Sequence, residues 1–201
     1  MDLSGRIFVT SDTHFGEQAI CRRFGRDFAT VEAMNARLID EINDVVGPDD
    51  ILFHLGDFVG DVDSSRSQIA ESIRERIQCR RIILIRGNHD PHSKERFDRL
   101  FDSVHDILSF KFDSAIPEAS PVRLVFSHYP LRVWQGRHDG SLHLYGHTHG
   151  TMAEVGRSTD VGVDSWGFRP QSLCAMVDRL QERGTDFDRI RPRAQPIRTE
   201  E

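Results

Sequence analysis

Short apolar runs recur along this chain, each followed within a few residues by a polar side chain that can bind a metal. The runs are rich in Ile, Leu, Val and Phe and are separated by polar or helical segments. Apolar runs of this length predict buried strands, and the run 82–85 is typical of a strand covered on both faces. The predicted strands cover residues 7–10, 51–55, 82–85, 104–112, 122–126, 142–145 and 160–164.

Helical spacing of apolar residues occurs between these runs. It is clearest over residues 31–46, where Thr30 is placed as the N-cap and Gly47 and Pro48 follow the last turn. Similar patterns predict helices over 64–78, 92–101 and 170–180. We therefore expect a single domain over residues 1–181. The stretch 182–201 is rich in Arg, Asp, Pro and Thr without periodicity, which predicts a flexible C-terminal tail.

Composition and charge narrow the class of protein. With 201 residues, 38% hydrophobic and 29% charged, the chain has the composition of a globular protein. The net charge of −6 argues against a broad surface for extended nucleic acid, but it leaves a small anionic substrate open. Three cysteines without C-x-x-C spacing predict reduced thiols, and no apolar stretch reaches the ~20 residues that cross a bilayer. We expect a cytoplasmic protein with no signal peptide and no membrane partner.

Candidate metal ligands stand where the predicted strands end, which is where ligands collect in α/β sheets. Asp12 and His14 are two residues apart, so an extended segment points both side chains the same way, and His147 and His149 repeat this spacing. The full set is Asp12, His14, Asp57, Asn88, His89, Asp90, His128, His147 and His149. Mixed oxygen and nitrogen donors suit Mn, Fe or Zn better than Ca. The pattern indicates a metalloenzyme.

Five motifs in this order resemble the calcineurin-like metallophosphoesterase superfamily. They are D-x-H at 12–14, G-D at 56–57, G-N-H-D at 87–90, the histidine at 128, and G-H-x-H at 146–149. The resemblance implies an α/β (α+β) fold, in which a β-sandwich of two mixed sheets is flanked by helices. It also implies a dinuclear metal site at one edge of the sheets.

By position, the resemblance assigns ligands to two divalent metal ions that share Asp57. One ion would be held by Asp12, His14, Asp57 and His149, and the other by Asp57, Asn88, His128 and His147. Manganese is the expected metal, with Fe, Zn, Ni, Co and Mg as alternatives. A metal-bridging hydroxide would attack, in line, the phosphorus of a small phosphodiester or phosphomonoester, nucleotide-like esters included. His89 would stabilise the transition state or protonate the leaving group, and Asp90 would orient its imidazole.

Other residues and other functions remain open at this stage. Arg132 and Arg137 lie in a loop that could contact substrate. The resemblance implies a histidine, in relatives that share the start D-T-H-F-G, where this chain has Glu17; the departure leaves the ligand set intact. His54 and His143 are predicted to have packing or supporting roles. The alternatives to a small-ester hydrolase are a nuclease acting on nucleic-acid ends and a catalytically silent metal-binding scaffold.

Overall fold

Two β-sheets packed face to face form the centre of the computed structural model, which describes residues 3–62, 65–91, 95–112 and 121–183. The first sheet has the strand order β4-β3-β2-β1-β9. Its strands are β1 (Ile7–Thr10), β2 (Ile51–His54), β3 (Arg81–Ile85), β4 (Ser103–His105) and β9 (Gln171–Ser172). β1 to β4 are parallel and β9 is antiparallel to β1, so this sheet is mixed.

The second sheet is also mixed, with the order β5-β6-β7-β8. Its strands are β5 (Ile107–Phe112), β6 (Val122–Ser127), β7 (Leu142–Tyr145) and β8 (Ser158–Asp160). β5 is antiparallel to β6, whereas β6, β7 and β8 are parallel. Two mixed sheets with flanking helices confirm the predicted fold class.

Five helices accompany the sheets in the described part of the chain. They are α1 (Gln18–Phe24), α2 (Val31–Val45), α3 (Arg66–Arg76), α4 (Glu95–Asp98) and α5 (Leu173–Gln181). The Thr30 hydroxyl accepts a hydrogen bond from the backbone N–H of Ala33 at 3.2 Å, so α2 begins with the predicted cap. Within the described residues no helix is long and apolar enough to cross a membrane.

Alternating side chains of the first sheet supply two separate cores. Phe8, Leu52 and Leu84 pack towards α1, α2 and α3, whereas Val9 and Phe53 pack towards the second sheet and α5. Because successive side chains of a strand point to opposite faces, a strand covered on both sides must be apolar throughout. This explains the unbroken apolar runs, which hold the first sheet between a helical layer and the second sheet.

Two sequence predictions differ from the structure, and two elements, α1 and β9, were not predicted. The run 104–112 is two strands rather than one, because the chain passes from the first sheet to the second at the exposed Asp106. The predicted strand 160–164 is wrong beyond Asp160, since residues 163–165 form a single 3-10 turn. α1 was not predicted; its two turns carry too few apolar positions to establish a period.

Three predicted segments fall partly outside the described residues. The helix expected over 64–78 contains α3, and residue 64 is not described. The helix expected over 92–101 contains α4, and residues 92–94 are not described. Of the predicted tail, residues 184–201 are not described either.

Candidate metal centre

The candidate ligands lie in loops that leave the carboxyl ends of β1, β2, β3, β6 and β7. Asp12 follows β1, Asp57 follows β2 and His128 follows β6. These strands are parallel neighbours within their sheets, so their carboxyl ends reach the same edge. The structure therefore brings residues from 12 to 149 to one edge of the sandwich.

Five of these residues have left-handed backbone, which side chains other than glycine rarely adopt. The φ angles are 59° at Asp12, 51° at His14, 53° at Asp57, 67° at His147 and 47° at His149. Among the described non-glycine residues, Phe168 is the sixth with positive φ. Each such residue costs on the order of 1–2 kcal/mol. The strained backbone is concentrated at the candidate ligands. This indicates that the positions of their side chains are maintained at a cost in backbone conformational energy.

Asp57 stands between two histidine-containing clusters. One cluster contains Asp12, His14 and His149, and the other contains Asp57, His128 and His147, with their donor atoms within 4.8 Å of one another in each. The Asp57 Oδ2 atom is 3.4 Å from the Nε2 atoms of both His14 and His128. A carboxylate in this position can serve both clusters.

Asn88 joins the second cluster, because its Oδ1 atom lies 3.0 Å from His128 Nε2. All seven residues predicted as ligands are therefore close together. Among them, His147 and Asn88 are exposed while Asp12, His14, Asp57 and His128 are buried. The site is open on the side of His147 and Asn88.

The Nδ1 atoms of three ligand histidines have acceptors that fix the direction of each ring. His14 Nδ1 lies 2.8 Å from Glu17 Oε2, His149 Nδ1 lies 2.6 Å from Asp164 Oδ2, and His128 Nδ1 lies 2.9 Å from the Leu55 carbonyl. With the proton on Nδ1, the Nε2 lone pair of each ring faces the clusters. Metal-binding histidines in proteins are commonly oriented this way.

Divalent metal ions fit these residues. His14 Nε2 is buried and has no hydrogen-bond partner, which is costly for a polar atom unless a cation or a water fills the place. Its neighbours in space are carboxylate oxygens and imidazoles, the donor set expected for Mn, Fe or Zn. No thiol takes part in the clusters found among the described residues.

The pKa values show how crowded the charges are. Burial raises the pKa of Asp12 to about 7. At Asp57 burial also acts to raise the pKa, but the hydrogen bond and charge of His128 outweigh it and lower the value to about 2. Burial acts to lower the pKa of His128, yet Asp57 and Asp12 raise it to about 9. A divalent cation bound here would compete with the proton on His128.

Three residues beside one cluster, Arg26, Asp164 and Phe24, were not predicted from the sequence to support it. Asp164 accepts from Arg26 through both of its oxygens at 2.8 Å, and Arg26 also donates to the backbone carbonyls of Asp12 and Thr13. The Phe24 ring stacks on His149 with centroids 3.6 Å apart. Arg26 and Asp164 are 138 positions apart, so no local spacing could have connected them.

Glu17 has a defined place next to His14. Besides bonding His14, its Oε2 atom accepts from the backbone N–H of Asp61 at 3.0 Å, and the residue is only 3% exposed. Burial raises its pKa, but the hydrogen bonds from His14 and Asp61 lower it to about 2. The sequence departure at position 17 is therefore an anionic support for a candidate ligand.

Asp90 has partners other than the imidazole predicted from the resemblance. Its two carboxylate oxygens accept from the backbone N–H groups of Asp57, Phe58 and Gly87 at 2.9 Å, with a longer contact to Val59. A buried carboxylate surrounded by N–H groups holds the backbone of two ligand loops together. The prediction that Asp90 orients His89 is replaced by this structural role.

His89 is half-buried at the edge of the clusters. Its ring contacts the His14 ring, with centroids 5.0 Å apart, and its backbone N–H donates to Asp57 Oδ1 at 2.8 Å. The imidazole can therefore reach a group bound at the clusters. His54 contacts the Thr13 hydroxyl within the core, and burial lowers its pKa to about 3, which makes it a neutral supporting residue.

The two arginines considered for substrate contacts lie in the loop after β6. Arg132 is exposed, whereas Arg137 is buried, donates to the Arg132 carbonyl at 2.5 Å and covers the Trp134 ring. Arg137 thus has a packing role, and Arg132 is the more accessible of the two.

Comparison with known proteins adds a family to this geometry. An uncharacterized protein of Methanocaldococcus jannaschii is 29% identical over 186 residues, covering 89% of this chain and 93% of the relative. The Gene 66 protein of Mycobacterium phage L5 is 28% identical over 185 residues, covering 80% of this chain and 87% of the relative. A protein of unknown function from Aquifex aeolicus has the same fold, with a TM-score of 0.64 at 22% identity, over 88% of this chain and all of that one.

The family model for calcineurin-like phosphoesterases matches residues 5–119, more than half of the chain. The match spans the first five strands and the loops that carry Asp12, Asp57 and Asn88. It confirms the resemblance drawn from the motifs and identifies a metal-dependent enzyme that acts on phosphorylated substrates. The chain belongs to the calcineurin-like phosphoesterase family.

Proposed function

We propose that this protein hydrolyses small phosphodiesters or phosphomonoesters with two divalent metal ions, manganese being the expected metal. The observation that carries the proposal is the position of Asp57, whose Oδ2 atom lies 3.4 Å from a histidine of each cluster. A single bridging carboxylate between two sets of donors is the arrangement that a metal pair requires. Bound there, the ions would lower the pKa of a shared water and neutralise charge on the phosphoryl oxygens.

The residues of the chain divide the remaining tasks. Asp12, His14, Asp57 and His149 would hold one ion, and Asp57, Asn88, His128 and His147 the other. Glu17 and Asp164 keep the rings of His14 and His149 in place through their Nδ1 atoms. His89 is positioned to donate a proton to the leaving oxygen.

The proposal is tested with chelator-stripped protein and two chromogenic esters, p-nitrophenyl phosphate and bis(p-nitrophenyl) phosphate, with and without added Mn²⁺. We expect metal-dependent release of p-nitrophenol and about two bound ions per chain by elemental analysis. Asp57→Asn keeps the size of the side chain but weakens the shared ligand, so it should lower both metal content and turnover. Asp49→Asn is the matched control. The Asp49 side chain is 87% exposed and lies before β2, at the end of the strand opposite to Asp57. Full activity without metal, or in Asp57→Asn, would contradict the proposal.

A further inference from the structure

A cavity of about 350 Å³ lies beside the metal centre, on the face of the second sheet that points away from the first. This volume is at the lower end of the range for small-molecule sites, roughly 300–1,000 Å³. Its lining is mainly apolar and includes Leu131, Trp134, Tyr145, Met152, Ala153 and Val155. Met152 and Val155 are 44% and 54% exposed, so the cavity opens to solvent.

The cavity is built by the same loops that carry candidate metal ligands. Tyr145 precedes His147 by two residues, Leu131 follows His128 by three, and Met152 follows His149 by three. Even a fully extended chain spans at most about 7 Å over two residues and about 11 Å over three. The Tyr129 ring, half exposed, touches the His147 ring with centroids 4.5 Å apart. A molecule bound at the clusters can therefore extend into the cavity.

Polar groups in the cavity specify what it can bind. Tyr145 lines the cavity, but its hydroxyl oxygen is buried and out of reach of a molecule bound there. Arg132 adds an accessible cation, and none of the described lining residues carries a carboxylate. The matching ligand has an apolar ring and negative charge.

His89 and the cavity lie next to different clusters, which places the leaving group away from the cavity. His89 contacts His14, a member of the first cluster, whereas the cavity adjoins His147, a member of the second. In hydrolysis, water forms the new P–O bond, the bond to the leaving oxygen breaks, and that oxygen takes the proton. The leaving group must lie next to the proton donor. A substituent on the His147 side is then the one that stays on phosphorus.

We propose that the cavity binds the retained ester group of a phosphodiester, a ring-bearing group such as a nucleosidyl or an aryl. This rests on the proposed phosphoesterase function and narrows it: the preferred substrate is a diester, because a monoester has no second group to place in the cavity. The apolar lining contacts the ring of the retained group, and Arg132 lies near its charged phosphate.

The test keeps the leaving group constant and varies the retained group. The substrates are the p-nitrophenyl diesters of methyl, phenyl and thymidine-5′ phosphate, all assayed with the Mn²⁺-loaded protein. We expect kcat/KM to be at least tenfold higher for the phenyl and thymidine esters than for the methyl ester, a difference of about 1.4 kcal/mol.

Variants of cavity residues locate the preference. Ala153→Phe fills the cavity from an exposed position and should remove the preference while leaving the methyl ester unaffected. Val133→Ala is the control. Val133 lies in the loop after β6, is 63% exposed and does not line the cavity. Equal kcat/KM for the three esters in the wild type, or an equal loss on all three in Ala153→Phe, would overturn the proposal.

A binding experiment separates the cavity from the reaction. If none of the esters is hydrolysed, the proposed function fails, and the cavity is then judged by Trp134 fluorescence in Trp166→Phe, which leaves Trp134 as the single tryptophan. Titration with diphenyl phosphate should change the emission, dimethyl phosphate should not, and Ala153→Phe should abolish the response. Identical titrations with the two phosphates would overturn the assignment of the cavity.

Discussion

His147 offers a direct measure of the strain held at the metal centre. Its φ is 67°, its side chain is exposed, and its backbone N–H donates to both Asp12 carboxylate oxygens at 3.0 Å. The two replacements His147→Ala and His147→Gly remove the same imidazole and keep the same N–H group. They differ in whether a Cβ must be accommodated at positive φ.

The difference between the two variants follows from opposing effects. A Cβ in left-handed backbone costs about 1–2 kcal/mol. Glycine instead costs roughly 0.5–1 kcal/mol through the extra freedom of the unfolded chain. The net result favours His147→Gly by about 1 kcal/mol, which is about 2–4 °C in Tm for a chain of this size.

Thermal and urea unfolding of chelator-stripped protein measure this difference without any contribution from bound metal. Asp40 supplies the matched control, because it is exposed in the middle of α2, where Ala is more stable than Gly by about 1 kcal/mol. The order of Gly and Ala variants should therefore reverse between positions 147 and 40. A His147→Ala variant more stable than His147→Gly by about the margin found at position 40 would refute the claim that the backbone of the candidate ligands is strained.

Three further outcomes are expected. Asp164→Asn should weaken metal binding by about 10–100-fold in calorimetric titrations, because His149 loses its anionic support, whereas exposed Asp178→Asn should not. His89→Asn should lower kcat by about 10²–10⁴ with metal content unchanged in elemental analysis; lost metal would make the residue structural. Burial lowers the pKa of His143 from 6.5 to about 4. The buried neutral imidazole therefore contributes about 3 kcal/mol to the free energy of unfolding, and this contribution is complete above pH 6.5 and lost as pH falls towards 4. Urea unfolding should show a flatter pH dependence in His143→Gln, and unchanged dependence would contradict this.

The His143 prediction depends on the two hydrogen bonds that its ring makes. His143 Nδ1 donates to the Val125 carbonyl, and Nε2 accepts from the backbone N–H of Leu131 at 3.0 Å. A second proton would occupy the lone pair that holds Leu131. Low pH should therefore loosen the loop that leads from His128 to the cavity.

The strands and the places of the candidate ligands at the strand ends were predictable because their signals are local. A strand buried on both faces needs an unbroken apolar run, and the polar residue after such a run must emerge at the sheet edge. Asp12, Asp57 and His128 could be placed by this rule. The strand 104–112 could not, because nothing near Asp106 in the sequence shows that the two halves pair with different sheets.

Roles that depend on long-range contacts were decided by the tertiary structure. Asp90 is next to His89 in sequence, yet its carboxylate is enclosed by N–H groups from the loop after β2. Asp164 and Arg26 form a buried pair from opposite ends of the chain, and Tyr145 meets the loops after His128 and His149 only when β7 lies beside β6.

The sequence alone determined which side chains are available and near which strand ends they stand, because covalent spacing and burial period act over a few residues. Only the folded chain determined which imidazole each carboxylate supports and where a cavity remains. Hydrogen bonds and packing act through distances of a few ångströms in space, and residues far apart in sequence come within that distance only in the folded state.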